Sequence, residues 1–270
     1  MNTKPIDHWR GKWALVTGAS AGIGVALARE LAAGGTNLVL TARRNDRLEA
    51  LARDLISAHK ISTEIVLADL RQPDAPDKIF AFTREKRIAV DLLINNAGYG
   101  GYGEFVRSDL QWQLGMVQVN CSAVVHLTRL YLPEMVQRQA GDILILASTA
   151  AFQPVPYIST YAATKAFDLL FAEGLAEEVR AYGVRVCALC PGSTESEFRQ
   201  VANQTEVPAS NRKQETAEKV ARTGLQALAA GKSYVISGIG NYLGTHAERL
   251  VPRRTVARIA AKMFRAQHSR

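Results

Sequence analysis

The sequence of 270 residues predicts an α/β fold with a doubly wound parallel sheet of about seven strands and helices on both faces. Short apolar runs alternate with helical patterns almost throughout, as expected when helices wrap a parallel sheet. Several runs are continuously apolar, which is typical of strands buried on both faces. The candidate strands are residues 13–18, 37–42, 63–69, 90–96, 142–148, 184–190 and 233–238.

The segments between these strands have helical periodicity. VALARELAAGG follows the first strand and DRLEALARDLISAHK follows the second. A longer helix is predicted after Ser159, with an apolar stripe at helical spacing made of Phe167, Leu170, Phe171, Leu175 and Val179. No linker-like tract divides the chain, so we predict one domain over residues 1–270, with a candidate lid at 193–213 and a basic helical tail at 245–270.

Composition and charge narrow the class of protein. Hydrophobic residues make up 47% and charged residues 21% of the sequence, which is typical of soluble globular proteins. No signal-peptide pattern and no spanning apolar run is present, so we expect a cytoplasmic protein. Between residues 245 and 270, seven basic residues and one acid give +6 of the net charge of +8. The charge is therefore a property of the tail and does not predict a nucleic-acid partner.

The cysteines do not predict a metal site. Cys187 and Cys190 are three residues apart in a candidate buried strand, so their side chains point to opposite faces. We interpret them as inert core thiols, as suits a reducing compartment. No His, Cys and Asp cluster has ligand spacing, so we predict no metal.

The first candidate strand continues into the loop TGASAGIG, residues 17–24, and then into a helix. Such a turn brings the free N–H groups and the positive end of a helix to a diphosphate, and glycine allows close backbone approach. We therefore predict a dinucleotide site of Rossmann type, whose contacts are Gly18, Ser20, Gly22, Ile23 and Gly24. An ordinary tight turn is the alternative interpretation.

The end of the second candidate strand bears on the choice of dinucleotide. NAD-selective sites usually place a carboxylate there to bind the ribose hydroxyls, whereas this sequence has Ala42, Arg43 and Arg44. A guanidinium can bind a 2′-phosphate bidentately, so NADP(H) is favoured over NAD(H). The alternative is that these arginines begin a solvated basic turn, and we expect this of one of them.

Together these motifs make the sequence similar to the short-chain dehydrogenase/reductase family in its single-domain form. The matching motifs, in the family's order and spacing, are TGASAGIG (17–24), Asp69, NNAG (95–98), Asn120, Ser148, YAATK (161–165) and PG (191–192). They cover about the first two hundred residues. The resemblance implies a carbonyl- or alcohol-directed oxidoreductase that forms a homodimer or homotetramer and takes a small-molecule substrate.

The resemblance also implies roles for the matching residues. Tyr161 would be the acid/base, and Lys165 would hold the nicotinamide ribose and lower the pKa of the tyrosine. Ser148 would hydrogen-bond the substrate carbonyl, and Asn120 would position a water in a proton relay. The implied cofactor contacts also include Asp69, Leu70, Asn95, Asn96, Ala97, Gly98, Pro191, Gly192 and Thr194. Thr194 and Ser196 remain alternatives for the contact to the nicotinamide amide.

Elementary chemistry supports the pairing of Tyr161 and Lys165. Side chains four residues apart share one face of a helix. A free phenol has a pKa near 10, and a nearby ammonium favours the phenolate. Several of the other candidates follow candidate strands, and ligands of open α/β sheets gather outside the carboxyl ends of the strands.

Structural interpretations remain open for single residues. Ser148 could cap a turn, Asn120 could be a satisfied core amide, and His126 is interpreted as structural. Asp168 could be a surface charge or an interface contact. The alternative function is a non-catalytic NADP(H)-binding sensor or scaffold protein, although such derivatives typically lose the tyrosine or the lysine.

The substrate is less well specified by the sequence. An apolar pocket lining is predicted from YGGYGEF (99–105), Phe152, Pro154, Pro156 and Tyr157. A fairly hydrophobic ketone or aldehyde is therefore the expected substrate, with reduction as the expected direction. The polar segment 193–213 is the candidate lid, because closing loops exclude water from such reactions.

The basic tail has two interpretations. Arg254, Arg258 and Lys262 recur every four residues, and the apolar Val256 and Ile259 lie mostly on the other side. A basic amphipathic helix can lie on an anionic membrane surface, so a weak membrane contact is one interpretation. We favour a helix that packs its apolar side on the protein or on a partner subunit.

Overall fold

The computed structural model describes residues 6–195, 197, 198, 202 and 214–265. Ser196, most of the candidate lid and the last five residues of the predicted tail lie outside these described residues.

One sheet of seven parallel strands runs through the described part of the chain, in the order β3–β2–β1–β4–β5–β6–β7. The strands are β1 Trp13–Thr17, β2 Asn37–Ala42, β3 Thr63–Leu67, β4 Val90–Asn95, β5 Gly141–Leu146, β6 Val184–Cys190 and β7 Tyr234–Ile236. The predicted fold class is confirmed. The fifth strand ends at Leu146 rather than at Ser148, so the serine lies in the loop beyond the sheet.

The helices that flank this sheet are α1 Gly22–Ala33, α2 Asn45–His59, α3 Ala75–Glu85, α4 Leu110–Val117, α5 Ala123–Gln137, α6 Ser159–Val179, α7 Ala217–Ala229, α8 Ile239–Ala247 and α9 Arg253–Phe264. A π-helical turn, Gln118–Ser122, joins α4 to α5. Short 3-10 turns lie at Phe105–Arg107, Thr149–Phe152, Arg180–Tyr182 and Glu248–Leu250.

Two hydrophobic cores lie on opposite faces of the sheet, because successive strand residues point to opposite sides. Ala14 and Val16 of β1 belong to the core shared with α1, α2 and α7. Leu15 belongs to the core shared with α3, α5 and α6. Cys187 and Cys190 divide between these cores in the same way and are both fully buried. Their interpretation as core thiols is confirmed.

The strand order also fixes where a ligand can bind. The chain moves outward from β1 to β3 in one direction and then from β4 to β7 in the other. In open α/β sheets, the loops diverge at such a reversal and leave a crevice at the carboxyl ends of the strands. The loops after β1 and β4 begin there with Gly18 and Asn96.

Candidate active site

A cleft of about 460 Å³ opens at this edge of the sheet, within the size range of small-molecule and cofactor sites. Most of the predicted site residues line it: Gly18, Ser20, Gly22, Ile23, Arg43, Arg44, Asp69, Leu70, Asn96, Ala97, Gly98, Ser148, Tyr161, Lys165, Pro191, Gly192 and Thr194. Gly24, Asn95 and Asn120 are not among the lining residues. Each of these three packs behind the wall of the cleft.

The glycine loop brings the uncapped N-terminus of helix α1 to the cleft. Helix α1 begins at Gly22, and no side chain caps its first turn. The N–H groups of a first turn have no partner within the helix, so they remain available to an anion. Gly18 and Gly22 have φ angles of 67° and 51°, a region that glycine adopts without a steric penalty.

Backbone packing holds this loop against the loop after β4. A Cβ atom on Gly24 would lie 2.3 Å from the Gly18 carbonyl oxygen, so Gly24 is needed for packing rather than for ligand contact. Asn96 Nδ2 donates to the Thr17 carbonyl at 2.7 Å. Thr17 Oγ1 accepts from the N–H groups of Asn96 and Ala97, both at 2.9 Å. Beneath them, Asn95 Nδ2 donates to Thr128 Oγ1 at 3.1 Å.

Arg44 forms an anion-binding position beside the glycine loop. Its guanidinium donates to Ser20 Oγ at 3.1 Å and to the Ser20 carbonyl at 3.2 Å. It also donates to a carboxylate oxygen of Glu197 at 2.9 Å, and Arg47 donates to the other oxygen at 2.6 Å. These two arginines, Arg47 first, lower the pKa of Glu197.

Two further charged residues lie on the same side of the cleft. Arg43 is exposed at the cleft wall, so Arg44 is the more firmly positioned of the predicted pair. Asp69 accepts a hydrogen bond from Arg71 Nη2 at 2.6 Å, and this bond lowers the pKa of the carboxyl group. Arg71, which the sequence did not identify, also lines the cleft.

These features fit a dinucleotide phosphate. The uncapped start of α1 suits a diphosphate, and Arg44 already binds a carboxylate oxygen beside it. No carboxylate occupies the end of β2, where Ala42 is followed by the two arginines. The residues therefore accommodate a nicotinamide dinucleotide.

Lys165 is fixed by two acceptors behind Tyr161. Its Nζ donates to the Leu146 carbonyl at 2.6 Å and to Asp168 Oδ2 at 3.0 Å. The same nitrogen lies 6.0 Å from the centroid of the Tyr161 ring. Asp168 is buried, with 1% of its side chain exposed, so its interpretation as a surface charge is wrong.

Burial has a larger effect on the pKa of Tyr161 than the ammonium of Lys165, which lowers it as the resemblance implies. Burial raises the pKa of Tyr161, and the ammonium of Lys165 and a hydrogen bond with Ser148 offset only part of this rise. Burial lowers the pKa of Lys165, but Asp168 and Tyr161 together raise it above its ordinary value. Burial raises the pKa of Asp168 to about 6. The phenol is therefore protonated, and the lysine charged, at neutral pH.

Ser148 combines two positions that the sequence left as alternatives. Its Oγ accepts from the Ala150 N–H at 3.1 Å and thereby caps the 3-10 turn. It also donates to the Pro191 carbonyl at 3.5 Å and lines the cleft. A capping serine can therefore also face a ligand here.

Asn120 lies fully buried in the π-helical turn. Its Nδ2 donates to the Tyr99 carbonyl and to Thr164 Oγ1, both at 3.0 Å. Its Oδ1 accepts from the Tyr99 N–H at 3.1 Å. These contacts are those of a satisfied core amide, and they tie the loop after β4 to α6.

Aromatic and aliphatic side chains enclose the end of the cleft near the tyrosine. Ile158, Phe198 and Phe264 line it there, and the Phe198 ring centroid lies 5.1 Å from that of Tyr161. An adjoining cavity of about 360 Å³ shares Ile158 and Tyr161, and its wall includes Phe105, Val106, Pro156 and Tyr157.

The predicted apolar lining is therefore right only in part. Tyr99, Pro156 and Tyr157 line these cavities. Phe152 and Pro154 line neither of the two, and Phe152 instead packs near the Tyr234 ring, with centroids 6.4 Å apart.

Phe264 lines the cleft although no sequence pattern predicts it there. It belongs to α9, which buries Val256 and Ala260 against the protein, whereas Ile259 and Met263 on the same helix are exposed. Tyr102 Oη donates to the Phe264 carbonyl at 2.6 Å. Arg265 Nε donates to Tyr157 Oη at 3.2 Å. No motif in the basic tail indicates that it reaches the cleft.

Two further findings concern other kinds of site. Among the described residues, no group of three or more His, Cys, Asp and Glu side chains is arranged to hold a metal ion. His126 lies on the exposed surface, with its Nε2 3.2 Å from Asp77. The described helices include none with the length and hydrophobicity required to cross a bilayer.

Comparison with known proteins agrees with this geometry. The family described as short chain dehydrogenase matches residues 12–207. The very-long-chain 3-oxoacyl-CoA reductase of Bos taurus is 35% identical over 204 residues, which cover 74% of this chain and 65% of the bovine protein. The chain thus spans slightly less than two thirds of that relative.

Solved structures are similar over a larger share of the chain. A short-chain dehydrogenase from Sphingobium yanoikuyae in complex with NADPH has a TM-score of 0.79 and 29% identity, and covers 88% of this chain and 94% of its own. A bulky-bulky ketone specific alcohol dehydrogenase from Comamonas testosteroni has a TM-score of 0.75 and 29% identity, with coverage of 88% and 93%. The chain therefore belongs to the short-chain dehydrogenase family, whose members are oxidoreductases that act on C=O and CH–OH groups with a nicotinamide dinucleotide.

Proposed function

We propose that this protein uses NADPH to reduce the carbonyl group of a hydrophobic substrate. The observation that carries the proposal is that Tyr161, Lys165 and Ser148 line the same cleft as the glycine loop. A binding protein without catalysis has no need for a buried lysine beside a tyrosine at a dinucleotide cleft. Perturbed titratable groups in a cleft are a mark of function.

Tyr161 and Ser148 have separate roles in the reduction. When bound, NADPH supplies a hydride to the carbonyl carbon. Tyr161 Oη donates its proton to the carbonyl oxygen. The Ser148 hydroxyl has one hydrogen, which turns from the Pro191 carbonyl to donate a hydrogen bond to the same oxygen. The raised pKa of Tyr161 keeps the phenol protonated at neutral pH, so it is ready to act as a proton donor. This favours reduction over oxidation.

Lys165 supports this step through the one N–H group of its ammonium that Leu146 and Asp168 do not use. An ammonium has three N–H donors, and two are used by Leu146 and Asp168. The third can bind the ribose of the nicotinamide side. Its charge also limits the rise in the pKa of Tyr161.

The preference for NADPH rests on Arg44 and Arg43. Arg44 binds a carboxylate beside the glycine loop, and a 2′-phosphate offers the same paired anionic oxygens. Replacing Arg44 by Ala is expected to weaken NADPH binding about tenfold, as for the loss of a charge-assisted hydrogen bond. NADH binding should change much less. An equal loss for both cofactors would contradict this role. Arg53→Ala, on the exposed face of α2, is the matched control.

The substrate class follows from the apolar end of the cleft. Ile158, Phe198 and Phe264 suit a bulky apolar group next to the carbonyl. The names of the relatives, a very-long-chain 3-oxoacyl-CoA reductase and a bulky ketone dehydrogenase, point the same way. We therefore expect NADPH oxidation with hydrophobic ketones, aldehydes or 3-oxoacyl thioesters, and little with small polar carbonyl compounds.

Replacing Tyr161 by Phe tests the mechanism. The variant lacks the phenolic proton, so kcat should fall by about two to four orders of magnitude. The Kd for NADPH should stay within about twofold, because the ring is retained. Tyr182→Phe, at an exposed tyrosine, is the control. An unchanged kcat would refute the mechanism, and NADPH binding without turnover of any carbonyl compound would favour the sensor.

We further infer a homo-oligomer built on the outer faces of α4, α5 and α6. Leu110, Leu114, Phe167 and Leu170 are exposed there, as expected of a surface that another subunit covers. Equilibrium sedimentation should detect a dimer or tetramer, and Leu170→Glu with Phe167→Glu should shift it toward the monomer. A wild-type protein that sediments only as a monomer would exclude this.

The tail supports a weak membrane contact in a cytoplasmic protein. Arg254, Arg258 and Lys262 are exposed next to the exposed Ile259 and Met263, a combination that suits anionic lipid. Vesicles with anionic lipid should bind the protein more than neutral vesicles do. Replacing both Arg254 and Arg258 by Glu should remove this difference. Equal binding of the wild-type protein to both kinds of vesicle would contradict the membrane contact.

A further inference from the structure

Asp168 is a buried acid that the mechanism above does not use. It lies on α6, one turn after Lys165, and their side chains are only 1% and 5% exposed. Asp168 Oδ2 accepts from Lys165 Nζ at 3.0 Å, while Oδ1 has no hydrogen-bond partner among the described residues.

We propose that Asp168 is a positioning residue that keeps the Lys165 ammonium charged and directed toward the cleft. This inference rests on the proposed function, since it concerns the lysine that supports Tyr161. Asp168 itself does not line the cleft and need not touch substrate or cofactor.

The geometry gives the first argument. Lys165 Nζ is held from two directions, by the Leu146 carbonyl at the end of β5 and by Asp168 from its own helix. Two fixed acceptors on a tetrahedral ammonium determine where the third N–H points. With Asp168 removed, one acceptor remains, and the ammonium can rotate about its bond to the chain. The third donor then loses its fixed direction.

The charge balance gives the second argument. Burial by itself disfavours a charged lysine, and Asp168 is the largest influence that raises the pKa of Lys165 again. The other titratable groups near the pair are Tyr161 on α6, Cys121 on the π-helical turn and Cys190 on β6. Burial raises the pKa of Cys121 to about 12 and raises that of Cys190. All three groups are therefore neutral at neutral pH, and Asp168 is the counter-ion.

The stability of the fold does not account for this acid. A buried ion pair is often no better for stability than apolar residues of similar size. Asp168 also carries a buried oxygen without a described partner, which adds a cost. The surrounding residues of α6, Leu169 and Ala172, are apolar and buried. A functional demand on Lys165 explains why a carboxylate is kept among them.

The proposal predicts how activity depends on pH. Asp168 is ionised above its pKa of about 6 and protonated below it. Protonation removes the negative charge as an Asn substitution would. The wild-type enzyme should therefore lose its advantage over Asp168→Asn as the pH falls through about 6. Above neutral pH, Asp168→Asn lacks the negative charge that raises the pKa of both Lys165 and Tyr161. Its activity should therefore begin to fall about one pH unit below the pH at which the wild-type activity falls.

The experiment compares kcat/KM for carbonyl reduction as a function of pH at saturating NADPH, so that titration of the 2′-phosphate does not enter. The wild type should exceed Asp168→Asn about tenfold or more at neutral pH, and the ratio should approach one below the pKa of Asp168. Asp168→Glu, which keeps the charge, should restore part of the activity at neutral pH.

Asp142→Asn is the matched control. Asp142 is also a buried acid, and it pairs with Arg185 and with Trp9 away from the cleft. Its loss should lower the melting temperature without changing the shape of the pH profile. A ratio of wild type to Asp168→Asn that stays constant with pH would overturn the proposal. Should that variant not fold, a wild-type profile without an inflection near 6 would overturn it as well.

This result is distinguishable from a failure of the proposed function. If Tyr161→Phe retains kcat, the acid/base assignment fails whatever Asp168 does. If Tyr161→Phe is inactive and the Asp168→Asn ratio is independent of pH, the reductase assignment stands and the positioning role is refuted.

Discussion

The two ends of the cleft are formed by different kinds of contact. At the cofactor end, backbone packs on backbone: a Cβ on Gly24 would meet the Gly18 carbonyl at 2.3 Å, and one on Gly18 would meet Ala97 Cα at 2.9 Å. At the substrate end, side chains from segments far apart in sequence meet. Ile158, which precedes α6, and Phe264 of α9 both line it.

This difference indicates which end of the cleft tolerates amino-acid substitutions. The close backbone contacts leave no space for an added atom, so the positions of Gly18 and Gly24 are restricted to glycine. Side-chain contacts can be exchanged for others of similar size at small cost. We therefore expect atoms added to the glycine loop to impair cofactor binding, and substitutions at the substrate end to change selectivity.

The largest effect is expected from Gly24→Ala. The added methyl group must displace the Gly18 carbonyl, and a displacement of about 1 Å near a reacting group can reduce catalysis about 100-fold. Both the Kd for NADPH and kcat/KM should show this loss. Gly174→Ala on α6, where a Cβ meets nothing within 4 Å, is the control and should be slightly stabilising. Equal behaviour of the two variants would remove the distinction between the two ends.

A smaller and more selective effect is expected from Phe264→Ala. Loss of a partly buried phenyl ring from the substrate wall should raise the KM for a bulky ketone about tenfold, in line with the cost of exposing an aromatic side chain. The Kd for NADPH should stay unchanged. Met263→Ala, at the exposed neighbouring residue, should have no effect. A change in the affinity for NADPH, rather than in the KM for the substrate, would contradict the assignment of Phe264 to the substrate end.

The smallest effect is expected from Glu197→Gln. This carboxylate holds Arg44 and Arg47 and repels a 2′-phosphate that approaches the same guanidinium. Because the pair is partly exposed, the gain in NADPH affinity should be only about two- to fivefold. NADH affinity should not change. Glu195→Gln is the control, and weaker NADPH binding in Glu197→Gln would show that Glu197 assists the cofactor instead.

The same contrast explains what the sequence could predict. The strands follow from apolar runs, and the cofactor end follows from glycines and polar residues at strand ends, because local backbone demands select local residue types. The fold class was predicted from these signals. Two of the predicted contacts, Gly24 and Asn95, support the wall from behind instead of lining it, a distinction that spacing alone does not make.

The parts that the sequence did not predict depend on tertiary packing. Phe264 reaches the cleft only because α9 docks against Tyr102 and Tyr157, and a helical pattern does not specify where a helix docks. The sequence pattern favours a surface charge or an interface contact for Asp168, because acids are usually exposed, whereas its side chain is buried. The net rise in the pKa of Tyr161 depends on burial, which a Tyr–Lys spacing does not reveal.

The π-helical turn at Gln118–Ser122 has a consequence for how this chain can vary in length. It joins α4 and α5 into one helical rod but contains more residues per turn than either of them. One residue in an α-helix corresponds to a rotation of about 100°. Deleting a single residue here would turn Asn120 away from Tyr99 and Thr164, even if every remaining side chain were acceptable. A substitution in this rod leaves the direction of Asn120 unchanged, whereas a change in the number of residues does not.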